Sequence, residues 1–380
     1  MALACVPLGA AESKPARTIA LNATDISFRN EIQHAIDKGL GWLQTNQHAA
    51  GWWSTADHPA VTALALTAFQ GEPTGRWRKG DSDMLKKGYA FLLGCAKPDG
   101  SISQTELANY NTALSMMALL AADKQDYDPV LRKARAYLVA SQIDLGEKGR
   151  LDSPFDGGIG YGSKYKHSDM NNTLVALEAL HHSKRLVQDQ PVAGGQDLDW
   201  AAAIHFLQHC QNLPAYNQQP WASDDPDNKG GFVYHPEESK AGEVKLPSGK
   251  VALRSYGSIS YAGLLSYIYA DVKRDDPRVV AVHDWLRSHF SLEENPGMGA
   301  QGYYYYLHLM TKALNAAGVE GLQLKDGRQV NWRKEVAMRL INLQQKDGSW
   351  INDNGRWWEK DASLVTAYSV LALEIIYRGM

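Results

Sequence analysis

The sequence predicts an all-α protein in which six helix hairpins close into an (α/α)6 toroid. One pattern recurs six times: a first helix that ends near glutamine, a turn rich in glycine or tryptophan, and a second helix rich in alanine and leucine. First helices carry apolar residues three and four positions apart, as at Ile36, Leu40 and Leu43, which is typical of an outer layer. Second helices are apolar around more of their circumference, as over residues 62–68, which favours an inner wall. Closing the array buries both of its ends, which an open solenoid would expose.

The six copies are separated by loops of very different length. Their first helices begin roughly 50 to 80 residues apart, which is too wide for helical solenoids with periods of about 34 to 47 residues. We assign one toroid domain to residues 29–380, with a loop insertion at 213–254, and an N-terminal extension to residues 1–28. In the order first helix, turn and second helix, the copies span residues 32–44, 51–53 and 61–69; 85–93, 99–102 and 111–121; 131–142, 156–161 and 171–181; 200–211, 230–234 and 258–269; 279–289, 297–299 and 304–316; and 332–345, 347–350 and 363–376.

The composition is that of a folded protein with no strong charge bias. Hydrophobic residues make up 44% of the chain and charged residues 21%, and the formal net charge is -3. A nucleic-acid partner is not expected, because it would require a basic face. Cys5, Cys95 and Cys210 have no C-x-x-C spacing, which argues against a thiol redox motif or a cysteine-rich zinc site. The small, apolar residues 1–11 resemble the end of an export signal but lack a basic leader, so cytoplasmic and exported locations both stay open.

No run of the sequence reaches the roughly 18 apolar residues that a membrane-spanning helix requires. We therefore expect at most a peripheral contact with a membrane.

The sixth copy carries the clearest motif. Residues 344–350 read Gln-Gln-Lys-Asp-Gly-Ser-Trp, and the helix that follows contains Thr366 and Ala367. This segment resembles the glutamine-tryptophan repeat of squalene and oxidosqualene cyclases, and weaker copies at 44–53 and 95–102 extend the resemblance over the chain. The resemblance implies the toroid that those cyclases share with protein prenyltransferase β subunits. In such a segment we expect glutamine to cap the outer helix, Asp-Gly to form a turn with positive φ, and tryptophan to pack over the neighbouring hairpin.

The catalytic motifs of that superfamily are only partly present. Residues 169–173 read Asp-Met-Asn-Asn-Thr and are the best match to the Asp-x-Asp-Asp-Thr motif of the cyclases. Asn171 stands where the resemblance would put the proton-donating aspartate, and an amide cannot protonate a double bond. Aligning the repeats puts Gln301, Tyr303 and Val365 at the zinc-ligand positions of the prenyltransferases, and none of them replaces the missing ligands. The resemblance therefore implies a terpene cyclase-like protein that binds an isoprenoid or other apolar ligand in a central cavity. We expect no metal or cofactor, and neither class II protonation nor zinc-dependent prenylation.

Polar residues precede the inner helices and should gather at one end of the toroid. Helix dipoles and free N–H groups make such a mouth suitable for anions or carbonyl groups. Helix capping is the alternative explanation for each of these residues taken alone. The candidates for catalysis are Asp57, His58, Asp169, Asn171, Asn172, Tyr303 and Asp361.

Aromatic residues are the expected ligand-binding surface. Tyrosines occupy positions 303–306, and because adjacent helical positions differ by about 100°, two of them should face the lumen and two the outer layer. Aromatic faces could stabilise a carbocation or stack on a sugar ring, and plain packing is an alternative. The candidates for ligand binding are Tyr110, Tyr161, Tyr165, His167, Tyr234, His235, Arg254, Tyr256, Gln301, Tyr304, His308 and Trp357.

The insertion at 213–254 is the least repetitive part of the chain. Loops of this length usually act as lids or binding elements. Its aspartates at 224, 225 and 227 fit no strong metal template, so we interpret them as a solvated turn and expect no metal. His235 in this loop, and Lys164 with His167 in an earlier loop, are candidates for proton transfer above the cavity.

Two other functions stay open. A carbohydrate-active lyase or hydrolase would require a polar, water-filled mouth that holds Asp57, His58, His167, Tyr303 and Arg254. A non-catalytic binding toroid would have no acid and base within about 3 Å of a common point. The lining of the cavity distinguishes these functions, since an isoprenoid requires apolar and aromatic walls and a sugar requires converging polar groups.

Overall fold

The computed structural model describes residues 23–79, 82–162, 167–188 and 197–380. These residues contain fourteen α-helices, two 3₁₀ turns at Gln125–Tyr127 and Arg356–Trp358, and two short antiparallel hairpins. The hairpins pair β1 (Glu243–Lys245) with β2 (Val251–Leu253), and β3 (Leu322–Gln323) with β4 (Gln329–Val330). The helices are α1 (Ala23–Thr45), α2 (Pro59–Gly71), α3 (Arg76–Lys79), α4 (Asp83–Gly94), α5 (Ala108–Ala121), α6 (Asp128–Ala140), α7 (Met170–His182), α8 (Arg185–Gln188), α9 (Trp200–His209), α10 (Gly257–Tyr269), α11 (Pro277–Ser288), α12 (Tyr303–Ala316), α13 (Trp332–Leu343) and α14 (Ala362–Arg378).

Six of the described helices contact one another in a closed circle. The order is α2, α5, α7, α10, α12 and α14, and α14 returns to contact α2. In α2 eleven of the thirteen residues are buried, whereas α6 buries only Leu131, Ala134, Arg135 and Leu138 of its thirteen, so α2 belongs to an inner wall and α6 to an outer layer. The first outer helix, α1, packs on α14 and closes the outer layer. The predicted all-α toroid is confirmed.

A repeated hydrogen bond ties five of the six turns to their inner helices. The backbone N–H of Trp350 donates to Thr366 Oγ1 at 3.0 Å, and the indole N–H of Trp350 donates back to the Leu340 carbonyl at 2.7 Å. The same backbone bond joins Trp53 to Thr62, Ile102 to Thr112, Ile159 to Thr173, and Phe232 to Ser260. In the fifth turn the N–H of Met298 donates to the Asn295 carbonyl instead. The equivalence of all six copies therefore stays a prediction.

Glutamine and glycine join the first and sixth turns to the next outer helix. Gln344 donates from Nε2 to the carbonyls of Gly348 in its own turn and Ala35 in α1, both at 2.9 Å. Gly348 has φ +99°, and a Cβ there would lie 2.5 Å from the Lys38 carbonyl oxygen, so only glycine allows this approach. In the first copy Gln47 has this role, binding the carbonyls of Gly51 and Met84. Our prediction that this glutamine is Gln44 was wrong, because the outer helix continues to Thr45.

The insertion between α9 and α10 is held by buried side-chain amides. Asn212 donates to the Leu253 carbonyl and to Ser255 Oγ, both at 2.9 Å. Asp225 accepts hydrogen bonds from Ser223 Oγ and from the side chain of Asn228, while Asp224 and Asp227 are exposed in this turn. Across the described ranges of the chain no cluster of three or more His, Cys, Asp or Glu side chains could hold a metal ion.

Candidate functional site

A central cavity of about 460 Å³ lies where the inner helices begin. Its wall combines the first turns of the inner helices with residues of the loops above them. Aromatic and aliphatic side chains make up two thirds of this wall, and the other seven residues carry polar or charged groups. The lining residues are His58, Ala60, Val61, Leu64, Leu107, Tyr110, Asn111, Tyr161, His167, Asn171, Tyr234, Glu238, Lys240, Tyr256, Ser258, Ile259, Tyr305, Trp357, Trp358, Leu364 and Tyr368.

Several tyrosine hydroxyls on the wall are paired with other wall residues. Tyr305 donates to Asn171 Oδ1 at 3.1 Å, and the hydroxyls of Tyr110 and Tyr368 share a hydrogen bond of 3.2 Å. Burial raises the pKa of four phenols on the wall, so these residues stay neutral at physiological pH. They are Tyr110, Tyr161, Tyr305 and Tyr368. These neutral rings present apolar and π-electron surface to the cavity.

The predicted catalytic residues at the start of α7 lie in two different environments. Asp169 is fully buried at the N-cap position and accepts from the backbone N–H of Asn172 at 3.0 Å and from its side-chain amide at 2.8 Å. Burial raises the pKa of Asp169 to about 6, although these hydrogen bonds oppose the shift. Asn171 projects into the cavity instead. The only member of this segment on the wall therefore carries an amide.

Charged groups of the insertion cover part of the mouth. Lys240 donates to both carboxylate oxygens of Glu238 at 2.7 Å and lies 4.3 Å from the centroid of the Tyr234 ring. His235 lies behind this pair, with Nε2 at 3.3 Å from Glu238, and its ring is 4.9 Å from that of His167. Burial first, and then the neighbouring His167, lower the pKa of His235 to about 4, so this imidazole is neutral near pH 7.

The opposite rim is formed by two tryptophans in a strained turn. Trp357 and Trp358 have φ of 54° and 68°, a region that large side chains rarely occupy. Glu359 anchors the turn, because its buried carboxylate accepts from Asn352 Nδ2 at 2.6 Å and from the backbone N–H of Tyr305 at 2.8 Å. The cap residue of α12, Gly302, has no side chain, so Glu359 serves the helix N-terminus in its place. Burial raises the pKa of Glu359.

Several predicted site residues lie away from the cavity wall. The Tyr303 hydroxyl donates to the Leu292 carbonyl and accepts from Arg339 Nε at 2.9 Å, so Tyr303 faces the outer layer. Tyr304 is buried against the Tyr303 ring, with centroids 5.5 Å apart. Within the described chain Tyr305 is the one member of the tyrosine run that lines the cavity, so the prediction that two of the four face the lumen was wrong.

Other predicted residues have structural partners. Arg254 is exposed and donates from Nε to the Glu243 carbonyl at 3.1 Å. Asp361 caps α14 by accepting from the Leu364 N–H at 3.1 Å, and Gln301 accepts from Arg356 Nη1 at 2.6 Å. His308 is buried beneath the wall, where its ring stacks on that of Tyr368 at 5.2 Å.

Asp57 is exposed next to the wall residue His58, and Asn172 is buried behind the wall at Asp169. The predicted Tyr165 and Lys164 lie outside the described residues. The prediction that Asp57, Tyr303 and Arg254 converge with His58 and His167 is not met, because Tyr303 and Arg254 are engaged elsewhere.

Sequence analysis did not identify Tyr305, Trp358, Glu238, Lys240 or Glu359 as site residues. A signal existed for the first two, since Tyr305 belongs to the tyrosine run and Trp358 follows the predicted Trp357. The orientation of each side chain depends on the rotation of α12 and on the positive φ of the turn. Glu238 and Lys240 belong to the insertion, which has no periodicity from which a direction could be derived.

Comparison with known proteins identifies the architecture. No protein-family model and no curated protein sequence matches the chain. The fold is similar to that of a variant of the type II terpene cyclase MstE from Scytonema in complex with geranylgeranyl dihydroxybenzoate, with a TM-score of 0.56, 13% identity, and coverage of 93% of this chain and 99% of the cyclase. The GH76 α-mannanase BT2949 of Bacteroides thetaiotaomicron matches with a TM-score of 0.54 at 11% identity, over 90% of this chain and 95% of the mannanase.

An inactive variant of the α-1,6-mannanase GH76A of Salegentibacter, in complex with α-1,6-mannotriose, is similar to the same degree, with a TM-score of 0.54 and 13% identity over 90% of this chain and 99% of that one. At these identities the likeness defines the fold, an α/α toroid, and leaves the chemistry to the site. No helix in the described ranges is both long enough and apolar enough to cross a bilayer.

Proposed function

We propose that the protein binds an isoprenoid, or a ligand of similar apolar character, in the central cavity. The observation that carries this proposal is the wall itself, where neutral tyrosines, two tryptophans and the aliphatic side chains of Val61, Leu64 and Ile259 face one space. Its volume of about 460 Å³ lies within the range of roughly 300 to 1,000 Å³ for small-molecule sites. Burying an apolar chain against such a wall stabilises a complex by about 25 cal/mol per Å².

The proposal is one of binding without class II protonation. Protonating an alkene requires an acid that faces the substrate. Asn171 faces the cavity and has no acidic proton to give, and its side-chain oxygen accepts from Tyr305. Asp169 is the nearest carboxyl in sequence, but its oxygens are engaged with Asn172 behind the wall. The variant of MstE with a bound geranylgeranyl substrate supports the idea that a toroid of this kind can hold such a chain.

The mannanase neighbours suggest a carbohydrate as the competing ligand class. Glycoside hydrolysis generally requires two carboxyl groups about 5 to 9.5 Å apart on either side of the bond to be cleaved. Among the lining residues that the structure describes, Glu238 is the single carboxylate, and Lys240 binds both of its oxygens. This arrangement favours the apolar ligand over the glycoside.

The two ligand classes can be separated by direct titration. Trp357 and Trp358 lie on the cavity wall, so their fluorescence should change when the cavity fills. We expect geranylgeraniol to quench this emission saturably, with a Kd in the micromolar range or below, and α-1,6-mannotriose to have no effect. Gas chromatography of the same mixture should recover geranylgeraniol unchanged.

A variant that fills the cavity, compared with a matched surface variant, tests where the ligand binds. Leu64→Trp places an indole in the cavity and should abolish quenching by geranylgeraniol, whereas Leu151→Trp, at a side chain that is 49% exposed, should leave the Kd unchanged. Quenching by mannotriose but not by geranylgeraniol would contradict the proposal. Equal binding by the Leu64→Trp variant would show that the ligand binds elsewhere.

A further inference from the structure

His58 is a wall residue whose side chain is not used to hold the fold. It occupies the N-cap position of α2, but its imidazole makes no capping hydrogen bond there. Its ring contacts the edge of Trp358, with centroids 4.6 Å apart and planes at 71°. A polar ring on the cavity wall that does not cap its helix is available for a ligand.

The surroundings of the ring determine which nitrogen carries the proton. Burial lowers the pKa of His58, so the imidazole is neutral at pH 7 and carries a single N–H. Nδ1 is shut off from solvent and has no hydrogen-bond partner. Nδ1 is therefore left without a partner in either tautomer, but only the Nε2–H tautomer places the N–H where an acceptor can reach it. The proton belongs on Nε2, the ring nitrogen that is not shut off, and His58 offers an N–H donor to the cavity.

Several other polar groups on the wall have partners already. Tyr305 is bonded to Asn171, and Lys240 is bonded to Glu238. Asn111 accepts from the backbone N–H of Ala60 and donates to a loop carbonyl. A ligand that displaced one of these bonds would have to break it, whereas a bond to His58 Nε2 would break none.

The charges near His58 define what kind of atom can approach it. The carboxylates of Asp57 and Glu106 are the charged groups that act on this imidazole. They would repel an anionic oxygen placed at Nε2 but would not repel a neutral one. We infer that His58 donates from Nε2 to an uncharged oxygen, a hydroxyl or carbonyl, at the polar end of an otherwise apolar ligand. This inference rests on the proposed function. It adds that the ligand has an uncharged polar end, and that His58 binds this end.

Three C20 ligands test the assignment: geranylgeraniol, the hydrocarbon in which hydrogen replaces the hydroxyl, and geranylgeranoic acid. With wild-type protein at pH 7.5 we expect the alcohol to bind roughly five-fold more tightly than the hydrocarbon, as one hydrogen bond permits. The acid should bind more weakly than the alcohol. His58→Phe keeps an aromatic ring against Trp358 and should remove the preference for the alcohol, and the control His48→Phe, in an exposed turn, should retain it.

The possible outcomes distinguish failure of the proposed function from failure of the role of His58. If none of the C20 compounds binds to wild-type protein, the proposed function fails and this inference fails with it. If they bind but the alcohol preference survives in His58→Phe, or the acid binds most tightly, the cavity assignment stands and the role of His58 is overturned.

A spectroscopic measurement needs no variant. In ¹⁵N-histidine protein, long-range ¹H–¹⁵N correlation should show His58 as the Nε2–H tautomer, and the Nε2 signal should move when geranylgeraniol is added. An Nδ1–H tautomer, or an Nε2 signal that the alcohol does not move, would contradict the inference.

Discussion

Tyr305 donates its hydroxyl to the side-chain oxygen of Asn171 at 3.1 Å, and this bond joins α12 to α7 across the cavity. The two residues come from inner helices that do not follow one another in the circle, because α10 lies between them. Their contact therefore depends on the inward curvature of α7, α10 and α12 around a shared lumen. It also places an amide, and not an acid, on the cavity wall at this end of α7.

A carboxyl group at this position should make stability depend on pH. In Asn171→Asp the new group is half-buried on the cavity wall near Asp169, so its folded-state pKa should lie above its unfolded value of about 3.9. Stability is then retained below pH 4 and lost as pH rises through the folded-state pKa. We expect urea unfolding to give nearly wild-type stability at pH 4.5 and a loss of about 1–3 kcal/mol at pH 8. Asn331→Asp, at the exposed cap of α13, is the control and should show no such trend.

Asp169 should give the wild-type protein a similar pH dependence, with a free energy of unfolding that falls as pH rises. Its pKa is raised from 3.8 to about 6, so the unfavourable term develops as pH rises through 6 and is absent below the unfolded pKa. This shift corresponds to about 3 kcal/mol in total, of which about 2 kcal/mol develops between pH 4 and 7.5. Asp169→Asn keeps a capping side chain and removes the titration. The stability difference between variant and wild type should move in favour of the variant by that amount, and a constant difference would contradict the burial argument.

The strained tryptophan turn depends on the absence of a side chain at Gly302. A Cβ at Gly302 would lie 2.8 Å from the Trp357 ring, and its φ is +63°. Gly327 also has positive φ, at +87°, but a Cβ there would meet nothing within 4 Å, so it serves as the control for backbone strain alone. Gly302→Ala should lose about 1–3 kcal/mol more than Gly327→Ala. It should also weaken binding of geranylgeraniol, whereas Gly327→Ala should not.

The hydrogen bonds between the turns and the inner helices should contribute measurably to the free energy of unfolding. In Thr366→Val the backbone N–H of Trp350 loses its acceptor in a buried site, which costs about 1–3 kcal/mol. Thr67→Val is the matched control, because the Thr67 hydroxyl donates only to the Ala63 carbonyl of its own helix and should cost less than about 0.5 kcal/mol. Equal effects in urea unfolding would show that the bond to Trp350 has no special weight.

The repeated turns were predictable because their chemistry is local. A glycine at positive φ is a feature of a short segment, and Gly348 has the positive φ that its Asp-Gly pair predicted. The hydrogen bond from Trp350 to Thr366 was not predicted. The identity of the cavity-facing tyrosine was not predictable. In a run of four equal residues only the packing of α12 determines that Tyr305 faces inward while Tyr303 reaches Arg339.

The loops were the least predictable part of the site. Glu359 acts on α12 from a turn 54 residues away in sequence, and Glu238 and Lys240 reach the mouth from the insertion. Such contacts depend on tertiary structure, and no local pattern in the sequence indicates them.

The central claim is that an apolar chain occupies the lumen between the inner helices. Photocrosslinking with a diazirine analogue of geranylgeraniol, followed by peptide mass spectrometry, tests it most directly. The account predicts labels on the peptides that contain Leu64, Ile259 and Tyr305, and their loss when unlabelled geranylgeraniol competes. Competable labelling confined to the outer groove between α6 and α9, which is lined by Arg132, Val139 and Ala202, would contradict it.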